Sequence, residues 1–275
     1  MKTIRVFPTK TKATPDDKDV RINVTPSFFD EADEVHISVA FTWDLPRAEW
    51  LYNQWLKAGF NVKIGGVATG ERGGDFINGM YLKKGYTITS RGCNNHCWFC
   101  SVPKREGKLR ELPIVDGFNI LDDNFLACCE QHKNAVYEML KRQPEQPRFT
   151  GGLEAKILTH TDAEKLFDIK PKSLYFAYDT KDDYEPLIEA GKLLTNIGFS
   201  KAGNVLKCYV LIGYPADTFD AAEKRLINTI KAGFMPMAMF YRDNNGKRSK
   251  DWGKFQRVWA NKKIVGAKMK QYGIY

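Results

Sequence analysis

The sequence predicts an α/β protein in which strands and helices alternate along the chain. Apolar segments of strand length recur through the 275 residues, and amphipathic helical patterns separate the later ones. Glycines at helix-stop positions close several of these patterns, among them Gly59, Gly198 and Gly233. Strands that are joined through helices pair in parallel, so this alternation favours parallel sheets over hairpins.

Residues 1–85 make up the first predicted unit, a small Rossmann-like α/β domain. Residues 35–41 alternate in hydrophobicity as a strand does, and residues 48–58 follow helical spacing up to the helix stop at Gly59. Residues 61–66 are predicted to be the next strand. Together these segments form one βαβ unit.

Residues 86–241 are predicted to form a partial (βα)6 barrel of the TIM type, with six units in place of the usual eight. The six strand candidates are residues 87–91, 118–122, 148–152, 174–179, 207–213 and 236–241. The helical patterns cover residues 126–140, a short helix capped by Asp162, residues 184–197 and residues 217–233. Active sites of such barrels lie at the carboxyl ends of the strands, so the residues that follow each strand are the candidates for a site.

Residues 242–275 form a basic C-terminal extension that carries most of the net charge. They contain ten Lys or Arg against two Asp, a net charge of +8, whereas the whole chain carries +9. The aromatic residues Trp252, Phe255, Trp259, Tyr272 and Tyr275 are interleaved with this charge. The extension either pairs with phosphates and stacks on bases, or caps the body with its aromatic rings inside and its lysines in water. In the first case the candidate substrate contacts are Lys247, Arg248, Trp252 and Trp259.

The composition predicts a cytoplasmic protein with no membrane partner. The longest apolar stretches, residues 35–41 and 209–212, fall far short of the roughly 20 residues of a membrane-spanning helix. The first ten residues have no apolar run behind their charges, so they do not resemble a secretory signal. Three of the six cysteines fall within eight residues, which favours a metal or redox centre in a reducing compartment over a disulfide framework. The remaining Cys128, Cys129 and Cys208 are predicted to be core thiols.

Cys93, Cys97 and Cys100 follow the first barrel strand with the spacing Cys-x3-Cys-x2-Cys. This spacing lets one short loop place three thiolates around one face of a 4Fe-4S cubane, which needs four ligands, so one iron stays open. The alternative is a structural zinc site completed by His96 or His132, or a purely structural cluster, in a non-catalytic nucleic-acid-binding module. Zinc ligands usually come as two pairs on separate turns, and this sequence has no second pair with ligand spacing.

Residues 88–100 resemble the signature of the radical S-adenosylmethionine (SAM) superfamily, Cys-x3-Cys-x-aromatic-Cys after the first barrel strand. Phe99 occupies the aromatic position, whose side chain packs by the adenine of SAM in that family. The resemblance extends over about residues 85–241, and it implies that SAM chelates the open iron through its amino and carboxylate groups. An electron from a donor such as flavodoxin or ferredoxin then breaks the sulfur–C5′ bond and yields a 5′-deoxyadenosyl radical. The protein would be an oxidoreductase or a transferase.

Residues 89–111 are similar in particular to the branch that contains cobalamin-dependent and methylthiotransferase-type enzymes. Cobalamin-binding members of that branch carry Asp-x-His-x-x-Gly in an N-terminal Rossmann-like domain. The only histidine in residues 1–85 is His36, and Glu34 stands two positions before it, so the motif is absent. Cobalamin is therefore not predicted, and the first unit is expected to be structural or to bind substrate.

The resemblance also implies which residues complete the SAM pocket. The candidates are Asp122, Asp123 and Asn124 after the second strand, Glu154 and Lys156 after the third, Asp179 after the fourth, and Gly213 on the fifth. One of residues 122–124 would accept the amino group of SAM, in place of the family's Gly-Gly-Glu-Pro, or these residues only cap the next helix. Glu154 would bind ribose hydroxyls and Lys156 the methionine carboxylate, with a surface salt bridge as the alternative.

Two segments depart from the family pattern. The fifth strand has Tyr209 and Ala216 where the family's Gly-x-Ile-x-Gly-x-x-Glu has its first glycine and its glutamate. Residues 101–117 show no obvious helix and are predicted to form a basic loop near the cluster, with Lys104 and Arg105 as candidate substrate contacts. The basic extension favours a nucleic acid or a nucleotide as substrate, and a peptide or a small metabolite stays open.

Overall fold

The computed structural model describes residues 2–200, 204–247 and 249–272, and within them it is an α/β fold with two parallel sheets. Eight α-helices occur in these ranges. None of the described helices is long and apolar enough to cross a membrane. The first sheet ends at Gly65 and the second begins at Tyr86, while the division of the chain into domains at residues 85 and 241 stays a prediction.

Four short strands form the first sheet. They are β1 (Thr3–Phe7), β2 (Val20–Ile22), β3 (Glu34–Ser38) and β4 (Val62–Gly65), and α1 (Leu45–Lys57) connects the last two. The strands pair in parallel in the order β2-β1-β3-β4. Alternation along β3 directs Val35 and Ile37 into a core, where Leu51 and Trp55 of α1 pack with them. The predicted βαβ unit is therefore present, and β1 and β2 extend its sheet.

Eight further strands follow, and six of them form the large sheet. They are β5 (Tyr86–Thr87), β6 (Ser90–Arg91), β7 (Arg110–Glu111), β8 (Asn119–Ile120), β9 (Arg148–Leu153), β10 (Ser173–Ala177), β11 (Leu206–Ile212) and β12 (Met235–Phe240). The large sheet is parallel and has the order β5-β8-β9-β10-β11-β12, so its six strands lie side by side in the order in which they occur along the chain. The strands β6 and β7 form a separate antiparallel pair.

In the described part of the chain, five α-helices separate the consecutive strands of the large sheet, and two more follow its last strand. They are α2 (Val102–Glu106), α3 (Glu130–Lys141), α4 (His160–Asp168), α5 (Tyr184–Ile197), α6 (Phe219–Lys231), α7 (Lys250–Ala260) and α8 (Lys262–Gln271). The helix α5 has its predicted bounds, because Gly198 adopts a φ of 126° that ends it. The helix α3 begins later than predicted, since Cys129 is its N-cap. Thr159 rather than Asp162 caps α4, although the Asp162 carboxylate completes a reciprocal capping box.

The first predicted barrel strand, residues 87–91, is wrong in its extent. Only Tyr86–Thr87 pairs with the large sheet, whereas Ser90–Arg91 pairs with β7. Asp122 accounts for the early end of β5. Its carboxylate accepts a hydrogen bond from the Thr89 N–H, so this N–H does not pair with a neighbouring strand of the large sheet. Residues 101–117 are likewise not a continuous loop, because α2 and β7 lie within them.

The basic extension packs on the large sheet through α7 and α8. Trp259 is 2% exposed and belongs to the same cluster of buried side chains as Met269 and the strands of the sheet. Trp252 and Phe255 pack against that cluster, while several lysines of the extension are exposed. The extension therefore caps the body, which is one of the two interpretations of its sequence.

Candidate functional site

The cysteine loop, residues 92–100, lies at the carboxyl edge of the large sheet, where candidates from several strands come together. Asn124, which follows β8, contacts both Cys93 and Glu154, and Glu154 follows β9. Trp98 of the loop packs against Tyr214, which follows β11. These contacts arise because parallel strands direct all their carboxyl ends to one edge.

Gly92 lets the cysteine loop leave β6 beside the segment that returns from α2. Its φ of 85° is in the left-handed region, and a β-carbon here would overlap the Lys108 carbonyl oxygen. The Gly92 N–H donates to Asp123 Oδ2 over 2.8 Å, and the Cys93 N–H donates to the Gly107 carbonyl over 3.2 Å. The backbone before the first cysteine is therefore held on both sides.

The Asp122 side chain is buried behind the loop and does not support its predicted contact with SAM. Its carboxylate accepts hydrogen bonds from the Thr89 N–H and hydroxyl, each over 2.6 Å, and from the Ser90 hydroxyl over 2.8 Å. Burial raises the pKa of this carboxyl, although the hydrogen bonds from Thr89 and Ser90 act in the opposite direction. Asp122 and Asp123 thus bind the chain that carries the cysteines.

Asn124 is the candidate after β8 whose side chain reaches the cysteines. Its amide nitrogen donates to Glu154 Oε2 over 2.6 Å and to Cys93 Sγ over 3.5 Å. Its Oδ1 is buried and has no hydrogen-bond donor among the residues described. A buried amide oxygen of this kind calls for a donor that the chain itself does not supply. Asn124 and Glu154 together therefore present acceptors beside Cys93.

The surroundings of Cys97 and Cys100 oppose the ionisation of these two thiols. All three cysteines of the loop are free. Partial desolvation raises the pKa of Cys97, which is exposed, and Cys100 and Asp183 raise it further. Burial also raises the pKa of Cys100, and Cys93 and Asp123 add to this rise. A bound cation would offset the negative charge of the thiolates and of the nearby carboxylates. It would therefore favour the thiolate forms of the cysteines.

A single metal ion and an iron–sulfur cluster require different spacings of their ligands. Within the described ranges, no three His, Cys, Asp or Glu side chains lie close enough to hold one ion. A cubane interposes several iron and sulfide atoms between its thiolates, so these stay farther apart, and thiolates are the ligands that such clusters use. The donor chemistry of Cys93, Cys97 and Cys100 therefore fits a cluster, and Asn124 and Glu154 fit a ligand beside it.

Asp179 and Lys156 are engaged with protein groups at the same edge. Asp179 Oδ1 accepts a hydrogen bond from the Leu211 N–H over 2.8 Å. Burial raises the pKa of Asp179 to about 7, and the nearby Asp183 carboxylate contributes to the rise. Lys156 forms an ion pair with Asp183 at 3.0 Å. Asp179 can therefore donate or accept a hydrogen bond near neutral pH, whereas Lys156 reaches another carboxylate only by leaving Asp183.

Gly213 directly follows β11, and its position leaves no room for a side chain. Its φ is 71°, and a β-carbon would lie 2.7 Å from the Phe240 ring and 2.9 Å from the Trp252 ring. Its N–H donates to Asp217 Oδ2 over 2.8 Å, and Arg225 forms an ion pair with the same oxygen. Close packing accounts for the glycine, and its contact with SAM stays a prediction.

Three aromatic residues at the loop were not predicted, namely Trp98 within it and Tyr214 and Tyr241 beside it. Trp98 is 57% exposed, and its ring centroid lies 5.4 Å from Phe99, 5.5 Å from Tyr214 and 5.9 Å from Tyr241. A signal was present in the sequence, because Tyr214 directly follows one predicted strand and Tyr241 ends another. These rings form an apolar wall next to the cysteines.

Lys104 and Arg105, the predicted substrate contacts on α2, differ in their exposure to solvent. Lys104 is exposed, as a contact with a substrate in solution requires. Arg105 instead forms an ion pair with Glu106 at 2.9 Å, and its side chain is only 8% exposed. The two neighbours therefore do not act on the same surface.

The four predicted substrate contacts in the C-terminal extension differ in whether their side chains can reach a substrate. Trp259 is buried, so neither face of its ring is accessible to a base. Trp252 packs on Phe219, with ring centroids 4.4 Å apart, at the edge of the site beside Gly213. Lys247 belongs to a turn in which its N–H donates to Asp243, and Arg248 lies outside the described residues.

Two of the three remaining cysteines are the predicted core thiols. Cys128 and Cys208 are buried, and burial raises the pKa of Cys128 to about 12. The prediction is wrong for Cys129, which is exposed and caps α3 by accepting a hydrogen bond from the His132 N–H over 3.4 Å. His132, a zinc ligand in the alternative interpretation, thus lies at the start of α3, and His96 is exposed.

Comparison with protein-family models and with curated proteins found no match to this chain. The side chains at the carboxyl edge of the large sheet are therefore the basis for assigning a function.

Proposed function

We propose that this protein is a radical SAM enzyme whose 4Fe-4S cluster is held by Cys93, Cys97 and Cys100. The observation that carries the proposal is that one loop bears all three cysteines at the carboxyl edge of a sequentially ordered parallel sheet. When bound and reduced, the cluster supplies the electron that breaks the sulfur–C5′ bond of SAM. Enzymes built from βα units carry out their chemistry at this edge.

The strand order supports a partial (βα)6 barrel of the TIM type for residues 86–241. Each later strand of the large sheet lies parallel to its predecessor, and β5 and β12 form its two edges. A sheet with two edges of this kind is open, as a six-unit version of the barrel would be. The order β2-β1-β3-β4 of the first sheet likewise supports a Rossmann-like unit of the doubly wound type.

The residues around the loop would bind and orient SAM. Asn124 Oδ1 would accept a hydrogen bond from its amino group, because this buried oxygen has no donor among the described residues. Glu154 would accept a second hydrogen bond from the same group or from a ribose hydroxyl. The rings of Trp98 and Phe99 would exclude water from the reacting bond.

Anaerobic reconstitution with iron and sulfide tests the proposal. We expect the protein to bind about four irons per chain and to release 5′-deoxyadenosine from SAM when dithionite is added. The Cys97→Ala variant should lose both properties. Cys129→Ser is the matched control, because Cys129 is exposed outside the loop and a serine preserves the N-cap of α3.

Two outcomes would contradict the proposal that this protein is a radical SAM enzyme. A colourless protein that binds zinc and leaves SAM intact would support the non-catalytic, metal-stabilised module. A brown protein whose iron is coordinated by a fourth protein ligand, and which leaves SAM intact, would retain the cluster but exclude its use as a SAM-cleaving centre.

We also propose a nucleic acid or a nucleotide as the substrate class. Lys254, Arg257 and Lys263 are exposed on the capping helices, so their charges can reach phosphates although Trp259 cannot stack. The combined Lys254→Gln, Arg257→Gln and Lys263→Gln variant leaves the core intact, unlike a deletion. On single-stranded nucleic acid it should reduce the slope of log K against log salt concentration by about 2. An unchanged slope would favour a peptide or a small metabolite.

Two further properties belong to this proposal. The electron donor would be a flavodoxin or a ferredoxin, since the cluster needs an external reductant. The protein would work in the cytoplasm, because reducing compartments keep such thiols available to iron. Purified flavodoxin with its reductase should replace dithionite in the 5′-deoxyadenosine assay.

A further inference from the structure

The first sheet has a cavity of its own at its carboxyl edge. Its volume is about 580 Å³, which is typical of sites for small molecules. Residues that follow β1, β3 and β4 line it, among them Pro8, Val39 and Gly66. In the order β2-β1-β3-β4 the winding of the chain reverses between β1 and β3, and open α/β sheets bind ligands at such switch points.

The opposite wall of the cavity comes from the segment that carries the cysteine loop. Arg91 and Arg105 line the cavity from either side of the loop in sequence, together with Glu106. Phe76 and Ile88, both nearly buried, add apolar surface. The cavity therefore combines apolar surface with charged groups, and Arg91, Arg105 and Glu106 form one charged wall.

The charges at this wall are unbalanced. Arg91, Arg105 and Arg110 form ion pairs with the same Glu106 carboxylate, at 3.8, 2.9 and 3.0 Å. The Glu106 side chain is 1% exposed, so a single buried carboxylate faces three partly buried guanidinium groups. Asp123 offsets part of this charge at longer range. An anion bound beside Arg91 and Arg105 would compensate the remainder with charge-assisted hydrogen bonds.

The other charged residues on the lining nearly cancel one another, and all of them but the half-buried Asp44 are exposed. Lys63 and Arg72 are exposed, as are Glu71 and Asp75. Solvent screens these rim charges, whereas the arginine wall is desolvated and acts more strongly. The favoured ligand is therefore set by the arginines.

We propose that this cavity binds a small molecule with a phosphate or carboxylate group at one end and an apolar or aromatic body, with the oxyanion received by Arg91 and Arg105. The size of the cavity fits a molecule as large as a mononucleotide. The site lies outside the residues assigned to the cluster and to SAM. Its occupation does not depend on SAM cleavage.

Binding here would also involve the loop after β4. The Gly73 N–H donates to Glu106 Oε2 over 3.2 Å, and a β-carbon on Gly73 would lie 2.7 Å from the Arg91 guanidinium carbon. The loop after β4 is thus packed directly on the arginine wall. An oxyanion at the arginines would join this loop to both flanks of the cysteine loop.

Calorimetric titration of the full chain, without reductant, tests the site. The probes are AMP for a phosphate, succinate for a carboxylate, and adenosine as the uncharged match of AMP. We expect AMP or succinate to bind at least tenfold more tightly than adenosine, and the stronger of the two identifies the oxyanion. Arg105→Gln should weaken that binding about 10- to 100-fold, whereas Arg148→Gln, a partly exposed arginine outside the cavity, should not change it.

A second variant keeps the test decisive if Arg105→Gln disturbs the fold. Val67 lines the cavity and is 52% exposed, so Val67→Glu adds a repelling charge without disturbing a core, and Val67→Gln is its neutral control. Val67→Glu should weaken binding at least tenfold relative to Val67→Gln. The proposal is overturned if neither anion exceeds adenosine, if Val67→Glu binds as Val67→Gln does, or if SAM displaces the bound anion, which would locate it in the SAM pocket.

Discussion

Asp122 binds Thr89 twice, because its carboxylate accepts the Thr89 N–H at one oxygen and the Thr89 hydroxyl at the other, each over 2.6 Å. This contact joins the end of β8 to the chain four residues before the first cysteine. It is inaccessible to solvent, since Asp122 is 1% exposed. The cysteine loop is therefore positioned by a buried polar contact, and its geometry depends on that contact.

Removal of this carboxylate should destabilise the protein and disturb the loop. Asp122→Ala leaves the buried donors of Thr89 and Ser90 unpaired, which should lower the free energy of unfolding by about 2–4 kcal/mol. Urea unfolding measures this change, and the iron content after reconstitution should fall with it. Asp168→Ala, at an exposed carboxylate paired with Lys141, is the control and should change stability by less than about 1 kcal/mol. An Asp122→Ala protein as stable as the control would contradict this role.

The raised pKa of Asp179, about 7 against an ordinary 3.8, predicts a stability that falls as pH rises. Below pH 3.8 the carboxyl is protonated in both states. Between pH 3.8 and 7 the unfolded chain releases the proton and the folded protein retains it, so the free energy of unfolding decreases across this window and levels off above it.

Asp179→Asn should remove this pH dependence while keeping an acceptor for the Leu211 N–H. At pH 8 the metal-free variant should be more stable than the unsubstituted chain by roughly 2–3 kcal/mol, and near pH 4 the difference should vanish. Urea unfolding of the two proteins at both pH values provides the comparison. A difference that grows towards acid pH would show that Asp179 is ionised in the folded protein.

Asn124 should affect SAM binding more than cluster assembly, if the proposed function holds. Asn124→Ala removes the buried Oδ1 acceptor, so the dissociation constant for SAM should rise about tenfold. The iron content should be retained, because the cysteines are unchanged. Equilibrium dialysis with labelled SAM measures the first quantity and a colorimetric iron assay the second. Asn134→Ala, on the exposed surface of α3, is the control, and equal SAM affinities in the two variants would refute the assignment.

Substitution of Trp259 tests whether α7 caps the core of the large sheet or serves as a nucleic-acid-binding arm. Because its ring is buried in the core of the large sheet, Trp259→Ala should lower the free energy of unfolding by about 3–5 kcal/mol. Val258→Ala, at the neighbouring exposed position, should cost less than about 1 kcal/mol. Thermal unfolding followed by circular dichroism compares the two. If both variants unfold at the same temperature, the helix α7 does not cap the core.

Local patterns predicted the parts of the fold that depend on nearby residues. The bounds of α5 follow from amphipathic spacing and a glycine stop, and β9 to β12 follow from apolar segments within a few residues of their predicted positions. The spacing of the three cysteines likewise predicts their chemistry, because one loop suffices to present them. The resemblance to the radical SAM superfamily made Asn124, Glu154 and Asp179 candidates, and each of them follows a strand of one parallel sheet, whose strand ends share one edge.

Long-range contacts decided the rest. Asp122, Asp123 and Asn124 are adjacent in sequence, yet the first is buried against Thr89, the second holds Gly92 and the third reaches Cys93. Hydrophobic periodicity reports which residues share a face of one element, and it carries no information about which distant group each polar side chain meets. Cys129 became an exposed helix cap rather than a core thiol for the same reason.

The sequence by itself determined an α/β chain with a three-thiolate loop after a strand, because spacing and periodicity are properties of neighbouring residues. Only the tertiary structure decided that three arginines share Glu106 at the wall of a cavity on the first sheet. That arrangement joins residues from both sides of the cysteine loop to a sheet that ends at Gly65. Such a contact forms through the packing of the whole chain, which no local pattern encodes.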